Sequence, residues 1–289
     1  MALQLVHLTD QGAVRQTNQD SYCARIANFG PDTIALLAVC DGMGGLQCGE
    51  LASTAAIRGF EEWFDRELPG IMRDGLQEDQ LFISWHALLE RLHGQLCTYA
   101  QQQGIRMGTT VSVLLAARST LYFVQIGDSR IYLDDSFGMQ LLTKDQTLAM
   151  SEYEAGRLPL EQLASDRRSG ILLQCLGFGR VEPVFASTPR PAQGAVLLCS
   201  DGFYHKVPPE LMHRAVADAQ DRSQLQQMLG ALAEHCRTQG ETDNLTAVIL
   251  RWNDTADLPT DGEEWVETWA RLSGQAAPQA YEQTIGGVL

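Results

Sequence analysis

Four things are missing from this sequence of 289 residues, and each absence excludes something. There is no basic run: Lys and Arg total 21 against 36 Asp and Glu, a formal net charge of -15. A polyanion such as DNA is repelled by that balance, so nucleic acid is set aside as a partner. No apolar run approaches the roughly 20 residues that a membrane helix needs; "IALLAVC" (34–40) is far too short. The opening "MALQLVHLTD" carries no basic stretch and meets an acid at Asp10, which reads as neither a secretion signal nor an anchor. A cytoplasmic location and no membrane partner are expected. The seven cysteines show no CxxC and no Cys/His ligand spacing, and Cys23, Cys40, Cys97, Cys175 and Cys199 sit inside apolar stretches. They read as reduced core residues.

What is present is a globular chain, 45% hydrophobic, with no internal repeat or low-complexity segment. Apolar runs rich in β-branched residues predict strands over 3–8, 21–27, 33–40, 109–117, 120–126, 130–134, 195–200 and 245–252. Helical spacing over 48–66 aligns Ala52, Ala56, Phe60 and Phe64, and over 80–102 it aligns Leu81, Leu88, Leu92, Leu96 and Tyr99. Two more helices are expected over 208–218 and 222–238. Strands, two helices, a strand meander, two helices and a final strand favour a mostly antiparallel, layered α+β fold over a doubly wound sheet. The domain is expected to end at residue 253. Residues 254–289 change character, with a Pro/Asp/Gly opening and a short helix suggested by Trp265 and Trp269 four apart, and read as a C-terminal extension.

Acids recur at strand ends. "LLAVCDGMGG" ends in Asp41, "YFVQIGDSR" carries Asp128, "AVLLCSDG" carries Asp201, and "GETDNLTAVIL" places Asp243 just ahead of a strand. One Asp-Gly after a strand is ordinarily a turn. Four such places argue for more, because gathered carboxylates repel and need cations among them. All the ligands on offer are hard oxygens and none of the six histidines has ligand spacing, which suits Mg2+ or Mn2+ rather than zinc or copper. Gly42, Gly44 and Gly45 let backbone approach closely, whether for a tight strand-to-helix turn, for a carbonyl ligand, or for both. In "GAVRQTNQDSY", Arg15 and Asp20 add a guanidinium suited to phosphate and a further acid.

The segments "RQTNQD" (15–20), "DGMGG" (41–45), "GTT" (108–110), "GDSR" (127–130), "SDG" (200–202) and "DN" (243–244), in this order across residues 5–252, resemble the metal-dependent protein phosphatases of the PPM/PP2C type in their bacterial form. The resemblance implies a four-layer α-β-β-α sandwich with two central antiparallel sheets and a metal site at one edge. It further implies that Asp41 bridges two Mn2+ or Mg2+ ions, that Asp201 and Asp243 complete the first ion's protein ligands, and that the Gly42 carbonyl binds the second. Asp20 would hold the second ion's waters, Asp128 with Asp201 would form a third-metal site, and Arg15 would clamp phosphate. The implied reaction is hydrolysis of phosphoserine and phosphothreonine by direct attack of a metal-bridging hydroxide, without a phospho-enzyme. Asp41, Asp201, Asp243 and Arg15 would carry it. Implied partners are phosphorylated proteins, substrates of a serine/threonine kinase, met by a monomer.

Departures accompany the match. Met43 stands where animal relatives carry a histidine, so the leaving-group proton must have another source. "KDQT" (144–147) replaces the frequent "DHS", and the flap that follows, about 148–172, lacks the family pattern, which bears on substrate preference rather than on metal chemistry. Two other readings stay open on sequence alone: a two-metal phosphatase of small phosphate esters or nucleotides, and a non-catalytic regulator that binds a phosphorylated partner. The histidines at 86, 93, 205, 213 and 235 read as solvated or packing residues. Tyr204 and His205 either border the cleft or pack.

Overall fold

A computed structural model describes residues 2–43, 48–253 and, for its backbone, 266–271. Three strands come first: β1 (Ala2–Asp10), β2 (Asp20–Phe29) and β3 (Asp32–Asp41). Helices α1 (Gly49–Arg66), α2 (Leu68–Arg73) and α3 (Glu78–Gln103) follow. A meander of β4 (Val111–Ala117), β5 (Thr120–Ile126), β6 (Arg130–Asp135) and β7 (Gly138–Leu141) leads to the short helices α4 (Leu148–Glu154) and α5 (Leu160–Leu163). Then come β8 (Val184–Pro189), β9 (Gln193–Cys199), α6 (Asp201–Tyr204), α7 (Pro209–Asp218), α8 (Arg222–Thr238), β10 (Leu245–Asn253) and β11 (Val266–Arg271).

The strands form two antiparallel sheets, one ordered β1-β10-β9-β6-β7 and the other β11-β2-β3-β4-β5-β8. Their apolar runs are continuous rather than alternating because both faces of each sheet are covered, and the two-residue period divides each strand between two cores. In β3, Ile34, Leu36, Ala38 and Cys40 face a core shared with α1 and α3. Ala35, Leu37 and Val39 face a second core, between the sheets, that includes Val196, Leu198, Val248 and Leu250. The alternate residues of the five-stranded sheet, among them Val6, Leu197, Cys199 and Ile249, pack on Met212 of α7 and Leu225 and Leu229 of α8. Three cores between four layers make the expected α-β-β-α sandwich.

The helical faces read from spacing are the buried ones: Ala52, Ala56, Phe60 and Phe64 on α1, and Leu81, Leu88, Leu92 and Leu96 on α3. Tyr99 packs only partly buried at the margin. All seven cysteines are free, and Cys97 departs from the core reading because it is only partly buried.

Other departures concern short or amphipathic pieces. β7, β8 and the helices α2, α4, α5 and α6 have few apolar residues in any one period. Thr109 lies outside β4, joined to Gly42 and Leu176 by isolated bridges. The helix suggested by Trp265 and Trp269 is corrected: Trp269 belongs to strand β11, whose backbone pairs antiparallel with β2 from Val266↔Ala27 to Arg271↔Tyr22. Four-residue spacing cannot distinguish a helix from a strand this short, and an open sheet edge supplies the hydrogen bonds that decide it. Trp265 and the rest of 254–289 lie outside the described residues.

The centre of the helix-side core is Trp85, fully buried, with its ring 5.6 Å from Trp63 and 6.2 Å from Phe60. Trp85→Ala should lower the unfolding free energy by about 3–5 kcal/mol, read from urea denaturation of the full chain.

Candidate metal centre

Strand register gathers the acids. Asp20 and Asp41 occupy the same rung of the β2–β3 pair. β9 pairs with β6 at Arg130↔Cys199 and with β10 at Ala247↔Cys199, so Asp128, Asp201 and Asp243 emerge at the neighbouring end of the other sheet. Arg15 stands in the connection between β1 and β2. The structure therefore brings all the sequence-predicted side chains to one edge.

The turn after β3 depends on backbone contact. A Cβ on Gly42 would lie 2.4 Å from the Gly49 carbonyl oxygen and 2.7 Å from that of Gln19, and one on Gly49 would lie 2.8 Å from Gly42 C. Only glycines let the start of α1 sit against the Asp41 turn. Gly44 and Gly45 lie outside the described residues.

Neighbouring hydroxyls and amides fix the carboxylates. The Asp41 amide donates to Thr110 Oγ1 (2.9 Å), while its carbonyl accepts from Thr109 Oγ1 and the Thr110 amide (2.9 Å each). Thr110 Oγ1 lies 2.6 Å from Ser129 Oγ, which ties "GTT" to "GDSR". Ser200 Oγ donates to Asp20 Oδ2 (2.8 Å) and accepts from the Thr246 amide (3.0 Å). Asn244 Oδ1 accepts from the Gln19 amide (2.9 Å), and its Nδ2 donates to the carbonyls of Gln11 and Thr17. Asn18, whose Oδ1 accepts from the Asp20 amide at 3.1 Å, and Thr109, Thr110, Ser129, Ser200 and Asn244 lie inside the quoted segments without a role read from sequence. Nothing in the sequence pairs them across up to 233 positions.

The electrostatics are those of like charges held together. Burial raises the Asp41 carboxyl well above the usual range, and Asp20, Asp201, Asp128 and Asp243 add to it. Asp128 is raised well above it too, by burial and then by Asp201 and Asp145. Asp20 is pushed up to about 7 by burial, against hydrogen bonds from Thr246 and Ser200, with Asp201 and Asp243 raising it further. Burial also raises Asp201, and nearby His205 partly offsets this.

Two carboxylate oxygens, Asp20 Oδ1 and Asp201 Oδ1, are buried with no hydrogen-bond partner. Orphaned anionic oxygens in a cluster of acids are what a hard divalent cation satisfies, so the donor set fits Mg2+ or Mn2+. Asp243 is held by Arg15, whose Nε and Nη2 donate to Oδ1 and Oδ2 at 2.8 and 2.6 Å. Among the described residues, no three acids are closed to ligand spacing. A cavity of about 800 Å³ lies at the opposite end of the five-stranded sheet, between Phe137, Trp252 and α7, away from these acids.

The family model described as protein phosphatase 2C matches residues 11–249. The chain belongs to the protein phosphatase 2C family. The serine/threonine phosphatase Stp of Listeria innocua is 26% identical over 253 residues, covering 85% of this chain and 94% of that protein. The serine/threonine protein phosphatase PstP of Mycobacterium tuberculosis is 30% identical over 249 residues, 86% of this chain but 45% of that protein. The crystal structure of the PstP catalytic domain in complex with 2 manganese ions matches with a TM-score of 0.70 at 28% identity, covering 87% of this chain and 99% of that one. This family membership accounts for the order of the six segments.

The raised Asp20 gives a pH dependence with a defined sign. Between the ordinary value of 3.8 and about 7, the folded chain holds a proton that the unfolded chain releases. In EDTA, stability should therefore fall as pH rises through that window. Excess Mn2+ should reverse the slope, because protons and cation compete for the same oxygens. Urea midpoints at a series of pH values, with and without Mn2+, check both signs.

Proposed function

We infer that the chain is a metal-dependent protein serine/threonine phosphatase acting on phosphoserine and phosphothreonine. The observation that carries this is the convergence of five aspartates from both sheets at one end of the sandwich, two with buried, unpartnered oxygens, in a protein phosphatase 2C chain. Asp41, Asp201 and Asp243 would hold one Mn2+ or Mg2+ ion, with Asp41 and the Gly42 carbonyl holding a second. Asp20 would orient the second ion's waters, and Asp128 with Asp201 would provide for a third. Such ions supply Lewis acidity toward phosphoryl oxygens and a water acidic enough to ionise near neutrality.

The chain's own groups do the rest. Ser200 and Thr246 keep Asp20 in one orientation, and Thr109 and Thr110 fix the backbone of Asp41. Arg15 stays charged at any working pH and offers two parallel N–H donors to a phosphate in place of Asp243. Its position in the field of Asp41, Asp201 and Asp243 supports this role.

Residues 1–253 are read as the catalytic domain, with 254–289 an extension. Substrates are phosphoproteins of a serine/threonine kinase, met by a monomer in the cytoplasm. Among the described residues, no helix is long and apolar enough to cross a membrane.

Purified protein should release phosphate from phosphothreonine peptides in preference to phosphotyrosine peptides or free nucleotides. EDTA should abolish the activity and Mn2+ restore it; turnover indifferent to chelation would reject the assignment. Asp41→Ala and Asp201→Ala should each cut kcat by at least about 100-fold, the upper range seen when even outer partners of a metal site are lost. Arg15→Ala should mainly raise KM, by about ten-fold, as expected for losing hydrogen bonds to a charged group.

A further inference from the structure

The ladder between β6 and β9 ends at Arg130↔Cys199. Past that rung, Asp128 and Asp201 stand two residues away on either side, outside the backbone pairing and carrying like charges. Arg130, on that last rung, reaches from the Asp128 side to the helix that starts at Asp201. Its guanidinium carbon lies 3.6 Å from the centre of the Tyr204 ring, on α6 three residues after Asp201. Its edge is engaged elsewhere: Nε and Nη2 donate to Asp145 Oδ1 and Oδ2 at 2.9 and 2.7 Å, and Nη1 donates to the Tyr132 hydroxyl at 3.0 Å. Asp145 is held in turn, since the Lys144 amide donates to Gln125 Oε1 (3.1 Å) and Gln146 Oε1 accepts from the Gly127 amide (2.6 Å), one residue before Asp128.

We propose that Arg130 and Tyr204 are positioning residues of the metal centre: the guanidinium, seated over the Tyr204 ring and kept off Asp128 by Asp145, fixes the separation of Asp128 and Asp201 and so the affinity for the ion those acids share. The proposal rests on the metal assignment above. A planar cation over an aromatic face is held in orientation as well as in place, which an aliphatic neighbour does not achieve. Released from Asp145, the same fork would find Asp128 as its next carboxylate and compete there with a divalent cation. "KDQT", a departure from the family pattern, thus keeps the acid that this arrangement needs.

The test is Mn2+ binding to the full chain, counted from the electron paramagnetic resonance signal of free Mn2+, alongside thermal unfolding and steady-state kinetics on a phosphothreonine peptide. Tyr204→Phe keeps the ring face and should bind Mn2+ within about two-fold of wild type. Tyr204→Leu and Asp145→Asn should weaken one class of Mn2+ site by about ten-fold, with the remaining sites and KM unchanged and kcat reduced. Should Tyr204→Leu not fold, Arg130→Lys takes its place with the same expectation, since it keeps the charge but loses the planar fork. Two results overturn the proposal: Tyr204→Phe as impaired as Tyr204→Leu, or the Tyr204→Leu and Asp145→Asn proteins binding Mn2+ like wild type. Wild-type protein that binds no Mn2+ overturns the metal assignment itself, and this proposal with it.

Discussion

Repulsion among carboxylates gathered where the two sheets end together is the constraint on which the rest of the molecule depends. Asp20, Asp41, Asp128, Asp201 and Asp243 arrive there on or beside β2, β3, β6, β9 and β10, and each arrival is set by a strand buried on both faces. The cores between the layers hold those strands in register while the acids resist being brought together. Burial raises the carboxyl of Asp41 and the other four acids raise it further, a conflict that a divalent cation relieves. Stability given up at the edge is thus the counterpart of cation affinity gained there.

The same logic explains the surrounding polar groups. Thr109, Thr110, Ser200 and Asn244 are short side chains that bond to backbone or carboxylate within the cluster, and Ser129 bonds to the Thr110 hydroxyl. None adds charge. They lower the freedom of the acids without competing for the cation, whereas Arg15 and Arg130 bring positive charge and are each engaged by one carboxylate, Asp243 and Asp145.

Much of this was legible in the sequence, and what was not has a common cause. Long strands and the faces of α1 and α3 could be read because burial imposes a period on many residues at once. β7, with four residues, and β11, added to an open edge, owe their state to a neighbouring strand rather than to their own pattern. The acids were legible because Asp at the end of an apolar strand, repeated, is unusual. The partners Ser200 of Asp20 and Asp145 of Arg130 were not, because serine and aspartate in loops have many ordinary uses and only the folded register selects one. The bond between Arg15 and Asp243 joins residues 228 positions apart and follows from topology alone.

The β2–β3 hairpin carries its two acids on a single rung at the open end, while its turn, at Gly30 and Pro31, lies nine rungs away at the closed end. Lengthening that tip by a matched pair of residues would add a rung beyond Phe29↔Asp32 and leave Asp20 opposite Asp41. One unmatched residue within either strand would instead turn the following side chains over, sending those of the helix-side core toward the inter-sheet core and the reverse. Natural length variation in this hairpin should therefore accumulate at the tip and in even steps, with the strands themselves closed to insertion.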